Sequence, residues 1–576
     1  MIKKLAKSVR EYKRDTILTP VFVAVEVILE VLITYFSAMI IDDGIEPGNM
    51  DIILKIGFIL SVAAILSLIF GVFSGICCAK ATAGFSKNLR KDVFYKIQNF
   101  SFFNIDKFKT SGLVTRLTTD IQHIGWAFSQ IIRVAVRAPL MIIFSLIMII
   151  KISPKVALIF ICTMPLLLGS LIFLAIKVHP IFRAAFDEYD NMNNVVSENL
   201  NGIRVVKSFV QEQKETSKFK KVSNAIYTLN KKAIDILALN GPCMSFCIYL
   251  TMLLVAWIGA KLVVSTTLTT GLLMSLFTYI MQVMNSLMMV SMIFVTIIIS
   301  KESCERVCEV LDEKIDLVNN ENPIKEVKNG SIVFDNVSFS YVKDKNKYCL
   351  ENINLEIKSG ETIGIIGGTG SSKSTLVQLI PRLYDTSKGR ILVGGVDVKD
   401  YDIFTLRENV AMVLQKNVLF TGKLIENLRW GNEKASLEEV KEACSLSCAD
   451  EFIENFSDKY DTQIEQGGTN VSGGQKQRIC IARALLKKPK ILILDDSTSA
   501  VDTKTDSKIR QAFKKYIPET TKIIIAQRIN SVMECDKIIV MEDGKINAVG
   551  THKELLKNNK IYKEVYNSQN GGGLSE

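Results

Sequence analysis

Long apolar runs dominate the first 300 residues, whereas shorter apolar segments alternate with polar ones in the rest of the chain. Runs of this length can cross a hydrocarbon core of about 30 Å as helices. They predict six membrane-spanning helices, over 17–41, 52–79, 131–151, 156–178, 242–264 and 271–299. The second half alternates strand-like and helix-like segments, as α/β proteins do. We therefore expect an all-α six-helix transmembrane domain followed by an α/β domain.

The distribution of charged residues predicts how the membrane half is oriented. Residues 1–15 carry the basic side chains Lys3, Lys4, Lys7, Arg10, Lys13 and Arg14, whereas the loop after the first predicted span carries Asp42, Asp43, Glu46 and Asp51. Lysine and arginine mark the cytoplasmic side of membrane proteins, so both chain ends are predicted to be cytoplasmic in a multi-pass protein of the cytoplasmic membrane. The net charge of +11 has no aromatic-rich basic motif beside it. Nucleic-acid binding is therefore not expected.

A glycine-rich turn follows the strand-like segment 361–366 and opens a helix at Ser374. The backbone N–H groups of such a turn can cradle phosphates, Lys373 can reach the β and γ groups, and the Ser374 hydroxyl can ligate Mg²⁺. Ser372 stands where the usual pattern has glycine, and serine tolerates a positive φ less readily. The predicted ATP-binding residues of the turn are Gly367, Gly368, Thr369, Gly370, Ser371, Ser372, Lys373, Ser374 and Thr375.

Further motifs follow at characteristic spacing. Val471-Ser-Gly-Gly-Gln475 precedes a helix through Leu486 and the apolar strand 491–494, which ends in Asp495. With the glycine-rich turn, these motifs resemble those of an ATP-binding cassette (ABC) exporter half-transporter of the multidrug type. The resemblance covers nearly the whole chain. It implies an ABC exporter-type membrane domain followed by a P-loop NTPase nucleotide-binding domain.

The resemblance also implies roles for single residues. Tyr341 would stack on adenine, and Gln415 would touch the metal and relay nucleotide occupancy, with Ser374 and Asp495 as the other metal-binding positions. Segment 499–502 resembles the family's D-loop. The signature would open a helix and clamp the γ-phosphate of ATP held by the opposite subunit. Its clamp residues are Ser472, Gly473, Gly474 and Gln475.

Two long loops between predicted spans, 80–130 and 179–241, are helical in pattern. Within them, segments 102–120 and 196–209 are similar to the exporters' first and second intracellular loops. In the family these loops end in short coupling helices that dock on the nucleotide domains, the second on the partner's domain. Ordinary solvated helices are the alternative.

Two positions depart from the family in a way that affects hydrolysis. Asp496 stands where the family has the water-activating glutamate, and Gln527 stands where it has the switch histidine. Aspartate is one methylene shorter, and a misplacement near 1 Å can cost about a hundredfold in rate. Glutamine donates hydrogen bonds but has no titratable nitrogen. The site is expected to bind ATP well and hydrolyse it slowly, as in the degenerate-site subunit of a heterodimer.

Charged side chains inside a span cost about 2.5 to 3.5 kcal/mol each on insertion scales. Glu26 and Glu30 lie one turn apart in the first predicted span, and Arg133 and Arg137 repeat that spacing in the third. Mutual pairing and contact with a cationic substrate are both open. The sixth span offers an adaptable substrate wall or ordinary core packing, and its candidate residues are Met281, Gln282 and Asn285.

These inferences lead to one functional hypothesis. The chain is predicted to be a half-subunit that uses ATP and Mg²⁺ to export a small amphipathic compound, drug, lipid or peptide. Its own phosphate loop forms the slow site, while a second half-transporter supplies the catalytic glutamate and switch histidine. A non-transporting ATP-binding regulator or sensor is the main alternative, and a gated channel the next. The predicted domains are 1–310 (membrane), 311–330 (linker) and 331–570 (nucleotide-binding), with a tail at 571–576.

Overall fold

The computed structural model describes residues 1–342, 348–496 and 501–570, apart from the side chains at 161, 167, 168, 171, 175, 179, 186, 299 and 570. The chain divides into two compact units. One comprises Met1–Gln98 and Thr110–Glu313, and the other comprises Asn99–Lys109 and Lys314–Glu576. The short segment Asn99–Lys109 therefore belongs to the unit that contains the second half of the chain.

The chain up to Asp312 is helical. Short 3-10 or π-helical turns at Ala6–Tyr12, Ile40–Ile45 and Arg116–Asp120 adjoin the α-helices. The helices are α1 (Ile2–Leu5), α2 (Lys13–Met39), α3 (Met50–Gln98), α4 (Phe102–Lys107), α5 (Thr110–Thr115), α6 (Ile121–Ile132), α7 (Val134–Ile152), α8 (Pro154–Asn201), α9 (Ile203–Ser208), α10 (Glu212–Ala238), α11 (Asn240–Val264) and α12 (Thr270–Asp312).

Among the described residues, five helical stretches are long and apolar enough to cross a membrane: Ile2–Ile45, Met50–Gln98, Thr110–Ile152, Glu212–Val264 and Thr270–Asp312. They contain five of the predicted spans. The predicted span 156–178 lies within α8, whose described apolar stretch, Pro154–Leu166, is shorter. A helical, multi-pass membrane domain is confirmed, and the count of six spans stays a prediction.

The membrane unit packs around α2. Val23, Val27 and Val31 recur every four residues on α2 and are buried, as one face of a helix requires. They share an apolar core with α7 and with buried residues of α12, such as Leu276 and Tyr279. The Tyr279 hydroxyl donates to the Val31 carbonyl at 2.9 Å, which satisfies the polar atom of a fully buried ring.

The second unit is built on sheets. Its strands are β1 (Ile332–Phe339), β2 (Leu350–Ile357), β3 (Thr362–Gly367), β4 (Lys388–Val393), β5 (Val396–Asp397), β6 (Val410–Val413), β7 (Gly422–Lys423), β8 (Gln463–Ile464), β9 (Ile491–Asp495), β10 (Thr521–Ile525), β11 (Lys537–Glu542) and β12 (Lys545–Gly550). Its helices, besides α4, are α13 (Lys373–Gln378), α14 (Ile403–Asn409), α15 (Leu424–Arg429), α16 (Leu437–Leu446), α17 (Asp450–Ile453), α18 (Gly473–Leu486), α19 (Thr503–Tyr516), α20 (His552–Asn558) and α21 (Lys560–Asn570).

Two larger sheets and one small one organise these strands. The six-stranded sheet has the order β12-β11-β3-β10-β9-β6 and is parallel except for β12. The strands β3, β9 and β10 are almost wholly buried, as their continuous apolar sequences predict for a parallel sheet with both faces covered. The antiparallel sheet β2-β1-β4-β5 and the pair β7-β8 complete the unit. The predicted α/β nucleotide-binding domain is confirmed, and the structure shows that its sheets are mixed.

The stretch predicted as a linker, 311–330, is in contact with folded structure. α12 continues to Asp312, and the chain beyond Glu313 belongs to the second unit. There Ile324 donates its N–H to the Asp400 carbonyl at 2.8 Å, and Val327 is buried in the core of that unit. Polar composition did not predict these contacts because they join residues distant in sequence.

Candidate nucleotide-binding site

The candidate site lies at the carboxyl ends of the central strands β3, β10 and β9 of the six-stranded sheet. Ile525 of β10 pairs with Ile365 of β3 on one side and with Asp495 of β9 on the other. The glycine-rich turn, Asp496 and Gln527 each follow one of these strands directly or within two residues. Strand register therefore gathers three motifs that lie far apart in sequence. In open α/β sheets, ligands bind beyond these carboxyl ends.

The glycine-rich turn has the shape of a phosphate loop. Gly370 has a φ of 86° and Ser372 a φ of 66°. The departure from glycine that the sequence revealed therefore falls in the left-handed region, where serine is disfavoured. At Gly367 a Cβ atom would lie 2.3 Å from the Met541 carbonyl oxygen, so the turn accepts only glycine there. α13 begins directly after Ser372 and presents the unpaired N–H groups of its first turn.

Lys373 lies across this turn. Its Nζ donates to the carbonyl oxygens of Gly367 and Gly368 at 2.8 Å each, and to Ser371 Oγ at 3.2 Å. Burial lowers the pKa of Lys373, and the nearby charges of Asp495 and Asp496 oppose that shift. The ammonium group is thus held at the centre of the turn by weak neutral acceptors. Phosphate oxygens are stronger acceptors for such a donor.

Ser374 and Asp495 form the part of the site suited to Mg²⁺. Ser374 Oγ donates to Asp495 Oδ1 at 2.9 Å, and Asp495 is buried at the end of β9. Burial raises the pKa of Asp495, which means that its anionic form lacks solvation. In the described part of the chain, no group of three His, Cys, Asp or Glu side chains could hold a metal. The hydroxyl and carboxylate oxygens of Ser374 and Asp495 fit magnesium, which proteins often bind with one carboxylate together with nucleotide phosphates.

Asp496 lies beside both glutamines of the predicted site. Its Oδ2 accepts from Gln527 Nε2 at 2.8 Å and from Gln415 Nε2 at 3.4 Å. The Asp496 backbone is left-handed, with a φ of 48°, and its N–H donates to the Ile525 carbonyl at 3.0 Å. Burial raises the pKa of this carboxyl group. The two positions that depart from the family are therefore in direct contact.

Tyr341 lies beside the phosphate helix. Its hydroxyl is 3.0 Å from Thr375 Oγ1 and donates to Gln378 Oε1 at 3.3 Å. Its ring makes edge contacts with Phe339 and Tyr384. Burial raises the pKa of the Tyr341 phenol. This location agrees with a role near the nucleotide, and stacking on adenine stays a prediction.

The signature motif caps a helix. Ser472 is the N-cap of α18: its Oγ accepts from Gln475 N at 3.3 Å, and its N–H donates to Gln475 Oε1 at 2.9 Å. Ser472 and Gly473 are exposed, whereas the following helix is largely buried. The N-terminus of α18 therefore offers N–H groups at the surface, where an anion can bind.

The D-loop resemblance is only partly visible. Ser499 and Ala500 lie outside the described residues. Asp502 is described and caps α19, accepting from Lys504 N at 3.1 Å and Thr505 N at 2.9 Å.

The first intracellular segment packs into the second unit. α4 begins with a capping box between Ser101 and Asn104. Asp106 on this helix accepts a hydrogen bond from the Tyr384 hydroxyl at 2.8 Å, and the Phe102 ring lies 5.9 Å from the Tyr384 ring. The Tyr384 ring in turn contacts Tyr341, at 5.2 Å between centroids. Sequence reasoning missed Tyr384, although an aromatic residue shortly after the phosphate helix was a detectable signal.

The intramembrane charges pair with one another. Arg137 on α7 forms ion pairs with both Glu26 and Glu30 of α2, the latter at 2.6 Å. Arg133 has no ion pair with a described residue. The pairing interpretation therefore holds with one arginine instead of two. Among the other candidates, Gln282 donates to Thr34 Oγ1 at 3.1 Å and accepts from Ser145 at 3.2 Å, whereas Met281 and Asn285 are exposed on α12.

Comparison with known proteins agrees with this geometry. Residues 16–287 match the family described as "ABC transporter transmembrane region", and residues 350–499 match "ABC transporter". The uncharacterized ABC transporter ATP-binding protein YfiB of Bacillus subtilis is 35% identical over 551 residues, which is 96% of each chain. The uncharacterized ABC transporter ATP-binding protein Rv1273c of Mycobacterium tuberculosis is 30% identical over 574 residues, 99% of this chain and 98% of that one.

A solved structure has the same fold. "Structure of a bacterial Atm1-family ABC exporter with ATP bound" superimposes with a TM-score of 0.84 at 23% identity, covering 98% of this chain and 99% of that one. The ABC exporter fold thus extends over nearly the full length. With a membrane domain followed by an ATP-binding domain, and with relatives of equal length, this chain belongs to the ABC transporter family as a half-transporter of the exporter fold.

Proposed function

We propose that this chain is the degenerate-site half of a heterodimeric exporter. It would couple ATP binding and hydrolysis to export of a small amphipathic compound, drug, lipid or peptide across the cytoplasmic membrane. The observation that carries the proposal is the contact between Asp496 and Gln527 at 2.8 Å, at the two positions where the family has glutamate and histidine. The domain boundaries proposed from the sequence, and cytoplasmic chain ends, belong to the same proposal.

Ground-state nucleotide binding uses groups that this chain retains. Lys373 and the amides of the glycine-rich turn would bind the β- and γ-phosphates, and Tyr341 would contact adenine. Ser374 and Asp495 would hold Mg²⁺, with Gln415 beside them. A magnesium ion held by these residues would neutralise phosphate charge. These contacts would already be made to bound ATP before reaction, so they would support occupancy even where the chemical step is slow.

For the hydrolysis of ATP, this chain lacks the family's glutamate and histidine at positions 496 and 527. A general base must lie about 2.6 to 3.2 Å from the attacking water. The shorter Asp496 side chain has one oxygen engaged by the amides of Gln527 and Gln415. The Gln527 amide that would stabilise charge on the γ-phosphate is in turn engaged by Asp496. Slow hydrolysis follows because both groups would have to leave this contact before they could serve a transition state.

A second, different half-transporter completes the proposal. The signature motif and the phosphate loop of one cassette cannot face each other across one bound ATP. Two cassettes must therefore pair head to tail. A homodimer of this chain would have two slow sites. In a heterodimer, Ser472, Gly473, Gly474 and Gln475, at the exposed end of α18, would complete a competent site on a partner with its own glutamate and histidine. The partner-site contacts would be N–H groups at a helix N-terminus.

Coupling to the membrane would begin at α4. Asp106 and Phe102 contact Tyr384, and Tyr384 contacts Tyr341 beside the phosphate helix. This contiguous chain of contacts links the first intracellular segment to the nucleotide site. α9 (Ile203–Ser208), with exposed Ile203 and Val205, would serve as the second coupling helix and dock on the partner.

Substrate would be recognised in the membrane domain. The exposed face of α12 with Met281 and Asn285 offers an adaptable apolar and polar surface. Gln282 is engaged with Thr34 and Ser145, so it would shape this region indirectly. Glu26 and Glu30 would contribute only if a cationic substrate competes with Arg137 for them.

The proposal is tested by measuring ATP hydrolysis and transport of the reconstituted chain with and without the half-transporter that co-purifies with it. Hydrolysis far slower per subunit in the chain alone supports a degenerate site. Equal rates per subunit would end the heterodimer hypothesis. ATP binding without movement of any solute by the complex would favour the regulator alternative, and ohmic current without turnover would favour a channel.

A further inference from the structure

The loop that carries Gln527 is held by the last helix described in the chain. The Gln569 carboxamide on α21 makes two hydrogen bonds to the backbone of this loop. Its Nε2 donates to the Gln527 carbonyl at 2.7 Å, and its Oε1 accepts from the Ile529 N–H at 2.8 Å. One planar amide thus satisfies a donor and an acceptor two residues apart. Such a two-point contact restrains the backbone more than a single hydrogen bond would.

α21 is itself fixed in place. Tyr562 is fully buried, and its hydroxyl lies 2.7 Å from His552 Nδ1 on α20. Val565 and Tyr566 pack against the same apolar core that contains Ile529. Because the helix is held at Tyr562, Val565 and Tyr566, packing about one turn before Gln569 sets its position. Its side chain can stay exposed and still act as a rigid support.

The opposite side of the loop is also held. Ser531 Oγ donates to Asp506 Oδ2 at 3.1 Å, and both residues are buried. Asp506 belongs to α19, the helix that follows Asp502. The backbone from Gln527 to Ser531 is therefore fixed at both ends. The exposed Gln527 side chain is the part left to move, and it rests on Asp496.

We propose that Gln569 is a positioning residue for the switch: it holds the loop backbone so that the Gln527 carboxamide alone can turn from Asp496 to the γ-phosphate. This inference rests on the proposed function, which assigns Gln527 to the switch position. A loop ordered before binding loses less conformational entropy when the ligand arrives. The advantage applies only to a nucleotide that Gln527 can reach. ATP has the γ-phosphate, whereas ADP lacks it.

The test compares ATP and ADP binding to the purified full-length chain with Mg²⁺, by displacement of the fluorescent analogue TNP-ATP. Gln569→Ala is expected to weaken ATP binding about threefold to tenfold, the range expected for losing one or two modest hydrogen bonds. ADP binding should stay within about twofold, because the γ-phosphate contact is absent. A purely structural role would weaken both nucleotides together.

Two further variants make the result decisive. Asn567→Ala removes a neighbouring exposed amide on the same helix and should leave both affinities unchanged. Gln527→Ala should itself weaken ATP binding and spare ADP. If it does, and Gln569→Ala changes neither nucleotide or both equally, the positioning role is wrong while the switch assignment stands. If Gln527→Ala leaves ATP binding unchanged, Gln527 makes no ground-state contact with the γ-phosphate and the positioning role is wrong, whereas the proposed function, which needs Gln527 only in the chemical step, is decided by the ATPase comparison.

Discussion

Arg137 provides a sharp test of how this membrane domain tolerates its charges. The guanidinium group bridges Glu26 and Glu30, and Glu26 is only 8% exposed. Its second carboxylate oxygen, Oε2, is buried with no hydrogen-bond partner among the described residues. Replacing Arg137 with methionine keeps much of the apolar stem and removes the charge. The buried Glu26 and the partly exposed Glu30 are then left with no cation between them.

Breaking a buried ion pair by removing one partner costs about 3 to 5 kcal/mol, because the remaining charge is left uncompensated. Domains of about 150 to 250 residues lose about 2 to 4 °C of melting temperature per kcal/mol, and larger units lose less, so Arg137→Met should lower the apparent melting temperature by several degrees and by at most about 20 °C. Arg133→Met is the matched control, since Arg133 lies one turn earlier without an ion pair to a described residue. It should shift melting by no more than about 2 °C.

The measurement is thermal unfolding of the full-length variants in the same detergent. The triple variant Glu26→Gln, Glu30→Gln and Arg137→Met should recover most of the loss, because no charge is then left unpaired. Equal destabilisation by Arg137→Met and Arg133→Met would refute the assignment of the ion pairs. Failure of the triple variant to recover stability would show that packing of Arg137, and not its charge, matters.

Three further outcomes are expected. In the complex with its partner, Gly473→Asp should abolish most ATP hydrolysis, because a carboxylate at the signature repels phosphate. Asp496→Asn should reduce ATP hydrolysis much less. The reverse ranking in a steady-state ATPase assay would place the competent site on this chain's phosphate loop. Ser372→Gly should stabilise the cassette against urea by up to about 1 kcal/mol, since it relieves a left-handed serine at some cost in chain entropy, and a loss of stability would contradict the strain argument. Tyr384→Phe keeps the ring and removes the hydroxyl that donates a hydrogen bond to Asp106. It should leave ATP affinity unchanged and lower transport about twofold to fivefold. Unchanged transport in vesicles would show that this contact does not take part in coupling.

Local patterns predicted the parts of the fold that depend on nearby residues. Among the described residues, each of the five helical stretches that can cross a membrane contains a span predicted from an apolar run. The strand–turn–helix context predicted the bounds of β3 and the start of α13, from segment 361–366 and Ser374, to within about one residue. Glycine is usual at position 372, so the sequence left a positive φ open there, and the structure has one. These features rest on periodicity and turn chemistry, which a sequence displays directly.

Contacts between distant segments were not predictable in the same way. The Asp106–Tyr384 hydrogen bond joins residues 278 positions apart, and the Gln569–Gln527 contact joins residues 42 apart. No periodicity links such pairs. The ion pairs of Arg137 were one of several open interpretations, and only the geometry selected Arg137 over Arg133. The packing of residues 314–330 also joins distant positions, such as Ile324 with Asp400, so composition alone did not predict it.

The central claim is that this chain's site retains ATP while the partner's site turns over. Lys373, Ser374 and the turn amides would keep the nucleotide bound, while Asp496 and Gln527 leave the chemical step slow. The most direct measurement is photolabelling of the working complex with 8-azido-ATP during steady hydrolysis, followed by a chase with unlabelled ATP and separation of the two subunits. The account predicts that label on this chain outlasts several turnovers at the partner's site. Label that leaves both subunits at the same rate would contradict it.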